Sequence, residues 1–273
     1  MTHDTSLNSM TASHEEAHRR LVIPPRYNGP ADSANGGYAS GLLAAELLGE
    51  GNGTGSVAAA APAVRVRLQA PPPLGEPLTV VTAPGHSVRL LHDTTLIAEA
   101  VAVVGDTEPQ HQVAGVSLAA ARAAEARFRG VAQHPFPTCF ACGTDRGDTE
   151  GLNLRPGPLV EDPGRTACAW TPAQPLADPT HPERATTAAV WAALDCPSGW
   201  TSDIVGRPMV LGQMTTRIWR RPRIGVTHLL TGQQLAVEGR KVRTATTLYA
   251  EHGEVMALAE HVWIILRQTQ ESS

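Results

Sequence analysis

Residues 35–48 read NGGYASGLLAAELL, and this stretch decides the fold that we predict for the chain. Leu42, Leu43 and Leu47 recur at helical spacing after two glycines, which predicts a helix over 38–48. Apolar residues nearly encircle this helix, so it must be buried on all sides. A β-sheet wrapped around a central helix would bury it in this way.

Strand-like segments surround the helix along the chain. An apolar run at 20–23 precedes it, and a glycine-rich loop at 49–56 follows it. Four β-branched or alternating segments come next, at 64–68, 78–81, 88–91 and 96–104. The second half has a strand, a helix and four extended segments in the same order, at 166–170, 184–195, 209–220, 226–237, 241–250 and 254–266. This order, occurring twice, predicts an α+β fold with one antiparallel sheet in each half.

Two local similarities support an internal duplication. Residues 67–75 and 217–225 both contain a basic–apolar pair, a proline and an apolar–glycine pair in the same order. Residues 98–101 read AEAV, and residues 259–262 read AEHV in the final strand of the second half. Together these similarities favour duplication over chance. The Ala- and Arg-rich segment 116–131 between the halves predicts a connecting helix.

Composition excludes several classes of protein. The chain has 273 residues, of which 42 % are apolar and 18 % charged, an ordinary balance for a soluble globular protein. A net charge of −4 provides no basic field for nucleic acid or an anionic membrane. No apolar run approaches the roughly 20 residues of a membrane helix, and residues 1–20 lack the apolar stretch of a secretory signal. We therefore expect a cytoplasmic protein with reduced cysteines.

Cys139 and Cys142 form a C-x-x-C motif, which is typical of zinc sites and of redox-active sites. A structural zinc site normally needs two further ligands at short, paired spacing, and Cys168 and Cys196 each stand alone in the sequence. A redox motif would begin a helix, whereas this one precedes Gly143 in a loop. The sequence therefore predicts a structural loop with no metal and no cofactor.

Two segments resemble hotdog thioesterases. Residues 27–29 and 35–38 (YNG and NGGY) are similar to the start of the central helix in acyl-CoA thioesterases of the fused double-hotdog type. Residues 139–143 (CFACG) with 151–152 (GL) are similar to a loop of phenylacetyl-CoA-thioesterase-like hotdog proteins. The resemblance implies a tandem double hotdog, in which each sheet wraps one central helix. The implied divisions are a tail at 1–18, a first hotdog at 19–110, a linker at 111–133 and a second hotdog at 134–270.

The start of the first helix suits a thioester carbonyl. The leading N–H groups of a helix lack intrahelical partners and carry partial positive charge, so they can stabilise a developing oxyanion. Gly36 and Gly37 would let a bulky thioester approach this backbone closely. Asn35 is the candidate to cap the helix or to position the acyl group. The alternative for all three residues is a simple turn before a helix.

The resemblance also points to Asp195 as the catalytic carboxylate. In phenylacetyl-CoA thioesterases a carboxylate follows the first helix glycine by eight residues. The same count from Gly36 reaches Ala44, whereas the count back from Asp195 reaches Thr187. Paired hotdogs of this family build each site from one unit's helix start and the other unit's carboxylate. The first half thus keeps the helix glycines without the carboxylate, and the second half keeps the carboxylate without the glycines. Because the two halves complement each other, we expect one composite site per chain. The alternative for Asp195 is a residue at the C-terminal end of a helix, before a turn at 196–199.

Several other polar residues are candidates for supporting roles. Those for positioning substrate or water are Tyr38, Gln213, Thr215 and Glu260. The basic cluster beside Trp219 offers contacts for the phosphates of coenzyme A and consists of Arg220, Arg221 and Arg223. A solvated strand end is the alternative explanation for this cluster.

Three functions remain open from the sequence. The first is a thioesterase that releases an acyl group from coenzyme A or acyl carrier protein, as a monomer or as a homodimer of double hotdogs. The second is a hotdog hydratase or dehydratase that uses Asp178 and His181. The third is a non-catalytic acyl-binding protein. No nucleic acid, membrane or metal partner is expected for any of them.

Overall fold

The computed structural model describes residues 18–50, 61–83, 85–147 and 150–267. The tail expected at 1–18, apart from His18, and most of the glycine-rich loop at 49–56 lie outside these residues. The described strands are β1 His18–Val22, β2 Ala63–Leu68, β3 Pro77–Ala83, β4 Ser87–His92, β5 Thr95–Val103, β6 Gly157–Pro158, β7 Arg165–Trp170, β8 Met209–Ile218, β9 His228–Glu238, β10 Lys241–Ala250 and β11 Val255–Ile265. The α-helices are α1 Gly36–Leu47, α2 Leu118–Glu125 and α3 Thr187–Gly199.

The described strands form one continuous antiparallel sheet, whereas the sequence predicted a separate sheet in each half. Its order is β1-β3-β4-β5-β2-β8-β11-β10-β9-β7-β6. The strands of the first half of the chain are therefore neighbours at one end of this order, and those of the second half are neighbours at the other end. Strands β2 and β8 join the two sides, with Val64 opposite Thr216 and Arg67 opposite Gln213. Every strand expected from the sequence is present, because its alternating or β-branched pattern suits one buried face.

Helices α1 and α3 lie in the core and pack against each other. Their contact is close because α1 carries glycine where the helices meet. A Cβ atom on Gly41 would stand 2.7 Å from both Ala188 Cα and Trp191 Cβ. All residues of α3 are buried, as the nearly uniform apolar surface of both helices predicts. The central helix expected at 38–48 is thus confirmed as α1.

Two helices differ from the expected bounds. Helix α3 begins at Thr187 rather than 184 and continues through 196–199, which we expected to form a turn. The helix can continue through Pro197 because buried hydroxyl groups bond to its backbone. The Ser198 hydroxyl donates to the Asp195 carbonyl at 2.9 Å, and the Thr166 hydroxyl donates to the Pro197 carbonyl at 2.6 Å. These bonds satisfy backbone groups around the proline. Asp195 therefore lies inside the helix and not at its end.

The connecting helix is shorter than the sequence predicts. Helix α2 begins after Ser117, whose side chain accepts a hydrogen bond from Ala120 N at 3.2 Å. It ends at Glu125 rather than near 131, and a short 3₁₀ turn follows at 129–131. Within the described ranges, no helix is long and apolar enough to cross a membrane.

The close contact of the two helices leads to a prediction about stability. Gly41→Ala would force its new methyl group against α3, and overpacking of this kind costs about 1–3 kcal/mol. This cost outweighs the gain of about 1 kcal/mol in helix propensity. We expect a lower urea midpoint with an unchanged slope.

Gly147→Ala is the matched control for this experiment. A Cβ atom there meets Glu150 at 3.5 Å, an ordinary contact, so the free energy of unfolding should change by less than about 0.5 kcal/mol. Unchanged or increased stability of Gly41→Ala would contradict the close packing described above.

Candidate active site

The start of α1 and the middle of α3 meet at one carboxylate. Asn35 precedes α1, and its side-chain oxygen accepts a hydrogen bond from Tyr38 N at 2.8 Å. The Asn35 amide group donates to Asp195 Oδ2 at 3.2 Å, and Gly37 N donates to the same oxygen at 3.0 Å. The structure therefore brings together three of the four residues that the sequence assigned to catalysis. The fourth, Gly36, begins α1 beside them.

The Asp195 carboxylate is deeply buried, with 2 % of the residue exposed. Burial raises the pKa of Asp195 to about 7, while the hydrogen bonds from Gly37 and Asn35 act in the opposite direction. Among the described residues, its Oδ1 atom has no hydrogen-bond partner. One oxygen is thus held by the start of α1, and the other can accept a hydrogen bond from a bound molecule.

A cavity of about 420 Å³ lies beside this carboxylate. Asn35, Gly36 and Asp195 contribute to its polar end. The rest of the wall is mainly apolar and comes from both halves of the chain, with Leu68, Phe136, Trp200, Met209, Leu211 and Trp263 among its residues. A mostly apolar cavity with a few converging polar groups is typical of small-molecule sites.

Three buried cysteines also line the cavity. The sulfur atoms of Cys139, Cys142 and Cys196 all lie within 4.8 Å of one another, and those of Cys139 and Cys196 are 3.9 Å apart. Hydrogen bonds from the other two thiols lower the pKa of Cys139 well below its usual value. Donation to Cys139 raises the pKa of Cys196, and burial raises that of Cys142.

The structure adds a third cysteine to the C-x-x-C motif. Cys196 stands alone in the sequence, but α3 carries it to the loop that holds Cys139 and Cys142. The loop reaches α3 because Phe140 N donates to the Asn28 carbonyl at 2.7 Å, which ties it to the segment before α1. In the sequence, the feature that could have placed Cys196 near the site is its position directly after Asp195.

The residues expected to position substrate have other contacts. Tyr38 stacks on Tyr27, with ring centroids 3.9 Å apart, and burial raises the pKa of its hydroxyl. Gln213 and Thr215 lie on β8 opposite Arg67 and Arg65 of β2. The described residues that line the cavity include none of these three candidates.

Glu260 likewise lies away from the described cavity wall. Its carboxylate accepts hydrogen bonds from Gln110 N at 2.8 Å and His111 N at 3.1 Å. It also pairs with the His111 ring at 2.6 Å. The side chain therefore holds the segment that follows the first half, which is a different contact from the one expected.

Two of the three arginines in the basic cluster take part in ion pairs. Arg221 is 5 % exposed, and its guanidinium contacts Asp178 at 2.5 Å. Arg220 pairs with Glu254 at 2.9 Å on the surface, and the backbone of Arg223 pairs with Arg184. These three arginines are absent from the described cavity wall.

Asp178, the acidic member of the alternative acid–base pair, is engaged in the ion pair with Arg221. Burial acts to raise the pKa of Asp178, but hydrogen bonds from Arg221, His181 N and Thr180 N lower it below its usual value. Asp178 and His181 therefore form a turn held by Arg221. Neither residue is part of the described cavity wall.

Known structures share this fold over nearly the whole chain. The tesB protein of Mycobacterium avium subs paratuberculosis is 13 % identical, with coverage of 93 % of this chain and 96 % of that one and a TM-score of 0.58. An acyl-CoA thioesterase II from Mycobacterium marinum is 14 % identical, with coverage of 92 % and 94 % and a TM-score of 0.57. A protein of unknown function with a hot dog fold from Alicyclobacillus acidocaldarius is 11 % identical, with coverage of 94 % and 96 % and a TM-score of 0.54.

No family model matches the sequence, and a search of curated proteins finds no match. The structural similarity confirms the resemblance to hotdog thioesterases that the sequence indicated. The protein therefore has an α+β fold of the hotdog class. Fold similarity at such low identity does not by itself assign a reaction.

The ion pair of Arg221 leads to a prediction. Arg221→Met would leave Asp178 without its buried cation and should cost about 3 kcal/mol of stability in urea unfolding. Arg220→Met is the matched control, because its pair with Glu254 is exposed and should contribute less than about 1 kcal/mol. Equal losses of unfolding free energy in the two variants would show that the Arg221–Asp178 pair does not stabilise the fold more than an exposed pair. Arg221 would then again be a candidate for phosphate binding.

Proposed function

We propose that this protein hydrolyses acyl thioesters at one composite site, formed by the start of α1 and by Asp195 of α3. The observation that carries the proposal is the hydrogen bond of 3.0 Å from Gly37 N to Asp195 Oδ2 at the wall of an apolar cavity. It joins a helix N-terminus, which can stabilise an oxyanion, to a carboxylate, which can accept a proton.

The proposed reaction divides its roles among few groups. The thioester carbonyl oxygen approaches Gly36 N, the first N–H of α1, at the cavity wall. Gly37 N and the Asn35 amide orient Asp195 through its Oδ2 atom. Water donates a hydrogen bond to the free Oδ1 atom, transfers its proton there and attacks the carbonyl carbon. The carbon–sulfur bond then breaks, and the leaving thiolate takes the proton from Asp195.

We also propose a tandem arrangement of two hotdog units. The first would be 19–110, with α1 among β1–β5, and the second 134–270, with α3 among β6–β11. At the equivalent place for a second site, α1 has Ala44 where a carboxylate would be needed. The Glu50 carboxylate, which accepts a hydrogen bond from Thr187 at the start of α3, lies beyond the end of α1. The absence of a carboxylate at Ala44 supports one functional site per chain.

The substrate would be an acyl group carried on coenzyme A or on acyl carrier protein. The apolar wall suits an acyl chain, and the names of two structural neighbours, an acyl-CoA thioesterase II and a tesB protein, agree with this class. The hydratase alternative has no comparable support, because Asp178 is held by Arg221 outside the described cavity wall.

Asp195→Asn tests the proposal directly. The amide cannot accept a proton, so kcat/KM should fall by about 10²-fold or more, the scale of one lost acid–base group. Hydrolysis should be followed as loss of thioester absorbance, so that the protein's own thiols are not counted as product. The substrates are short, medium, long and aryl acyl-CoAs and an acylated carrier protein.

Asp178→Asn is the matched control for this substitution and should leave kcat/KM unchanged when the protein is folded. Hydrolysis lost in Asp178→Asn but kept in Asp195→Asn would overturn the assignment of the site. A wild-type protein that binds acyl-CoA without turnover would instead identify an acyl-binding protein.

Gly37→Ala tests the contact between the two halves of the site. A Cβ atom there would stand 2.6 Å from Asp195 Cβ and 2.7 Å from the Trp191 carbonyl oxygen, so Asp195 must move. A misplacement of about 1 Å can cost 10²-fold in rate, and we expect a loss of kcat/KM of about this size.

Gly41→Ala is the matched control, since it crowds the same pair of helices one turn away from Asp195. It should lose similar stability while keeping most activity. Equal activity losses in Gly37→Ala and Gly41→Ala would mean that helix packing, and not the placement of Asp195, explains the effect.

A further inference from the structure

The three clustered sulfur atoms have the spacing of a metal site. Zinc bound to thiolates at about 2.3 Å with tetrahedral angles places its sulfur ligands about 3.8 Å apart. Cys139 and Cys196 sulfurs are 3.9 Å apart, and Cys142 sulfur lies within 4.8 Å of both. Small side-chain rotations would therefore bring all three onto one ion. Cys168, the remaining cysteine, lies on β7 outside this group.

A tight turn shapes the loop that holds Cys139 and Cys142. Gly143 N donates to the Cys139 carbonyl at 2.8 Å. Gly143 closes the turn, where a Cβ atom would stand 2.6 Å from both Cys139 N and Cys139 O. No residue with a side chain fits there, so the turn brings both cysteines to the same side of the loop.

Side-chain N–H groups also point at the sulfurs. Trp200 Nε1 donates to Cys142 Sγ at 3.3 Å, and the Asn35 amide lies 3.8 Å from Cys139 Sγ. Donors of this kind stabilise metal-bound thiolates and orient them. Several buried thiolates without a cation would repel one another at a high electrostatic cost. A divalent cation would offset two of the three negative charges and so reduce that cost.

We propose that Cys139, Cys142 and Cys196 bind one Zn²⁺ ion at the wall of the cavity, with the fourth coordination position open to the cavity. All three cysteines line that cavity, and no other described His, Cys, Asp or Glu side chain belongs to the cluster. Thiolate ligands favour zinc over magnesium or calcium. Three protein ligands and one open position are typical of zinc that exchanges water or substrate.

Metal analysis of the purified full-length chain tests this assignment without any substrate. We expect about one zinc per chain, retained through gel filtration and released by a strong chelator. Replacement by Co²⁺ should give an intense thiolate-to-cobalt band in the near ultraviolet and visible bands typical of tetrahedral cobalt. These readouts do not depend on thioester hydrolysis, so failure of one proposal leaves the other intact.

Cysteine variants locate the site. Cys196→Ser and Cys142→Ser should each lose the bound zinc and the cobalt spectrum, while the matched control Cys168→Ser, another buried cysteine, should keep both. Circular dichroism of each variant, with and without metal, separates loss of a ligand from loss of the fold. A wild-type protein that is folded, fully reduced and unable to retain zinc or cobalt would overturn the proposal.

Equal metal content in all three variants would also overturn it. So would a Cys139–Cys196 disulfide in wild-type protein that does not bind zinc after reduction. Such a bond would require the two sulfurs to move from 3.9 Å to about 2.05 Å. Mass spectrometry of alkylated protein detects this outcome directly.

Discussion

The close approach of α1 and α3 is the constraint on which the rest of the structure depends. Two helices whose surfaces are almost wholly apolar must be buried, and here each buries part of its surface against the other. Gly37 and Gly41 make this approach possible, since a methyl group at either position would lie within 2.7 Å of α3 atoms. The same approach brings the start of α1 to Asp195. Packing and the geometry of the candidate site therefore have one cause.

Burial of a carboxylate requires compensation, and the start of α1 supplies it. The Gly37 N–H and the Asn35 amide both donate to Asp195 Oδ2, which offsets part of the cost of desolvation. The cysteine cluster lies next to this carboxylate, because Cys196 directly follows Asp195 on α3. The remaining wall of the cavity is mainly apolar.

Polar residues elsewhere hold the chain together instead. Arg221 and Asp178 join the turn before α3 to the segment after β8. Glu260 on β11 binds the backbone at Gln110 and His111, which leads from the first half of the chain to the second. Their charges suggested contacts with substrate, but a charged residue in a sequence does not show which neighbour it will meet. Tertiary packing decided these contacts, with Arg221 beside Asp178 and backbone N–H groups beside Glu260.

The amino-acid sequence by itself determined the strands and the two central helices, because periodicity along one element is a local property. The pairing of Asn35 and Gly37 with Asp195 was expected only from the resemblance to hotdog thioesterases, because it joins residues 160 and 158 positions apart. It did not determine the continuation of α3 through Pro197, where hydroxyl groups satisfy backbone atoms only after the helix is buried. Nor did it place Cys196 beside Cys139 and Cys142. That proximity is a consequence of tertiary packing, since distant segments meet only where the helix and the loop are both held against the sheet.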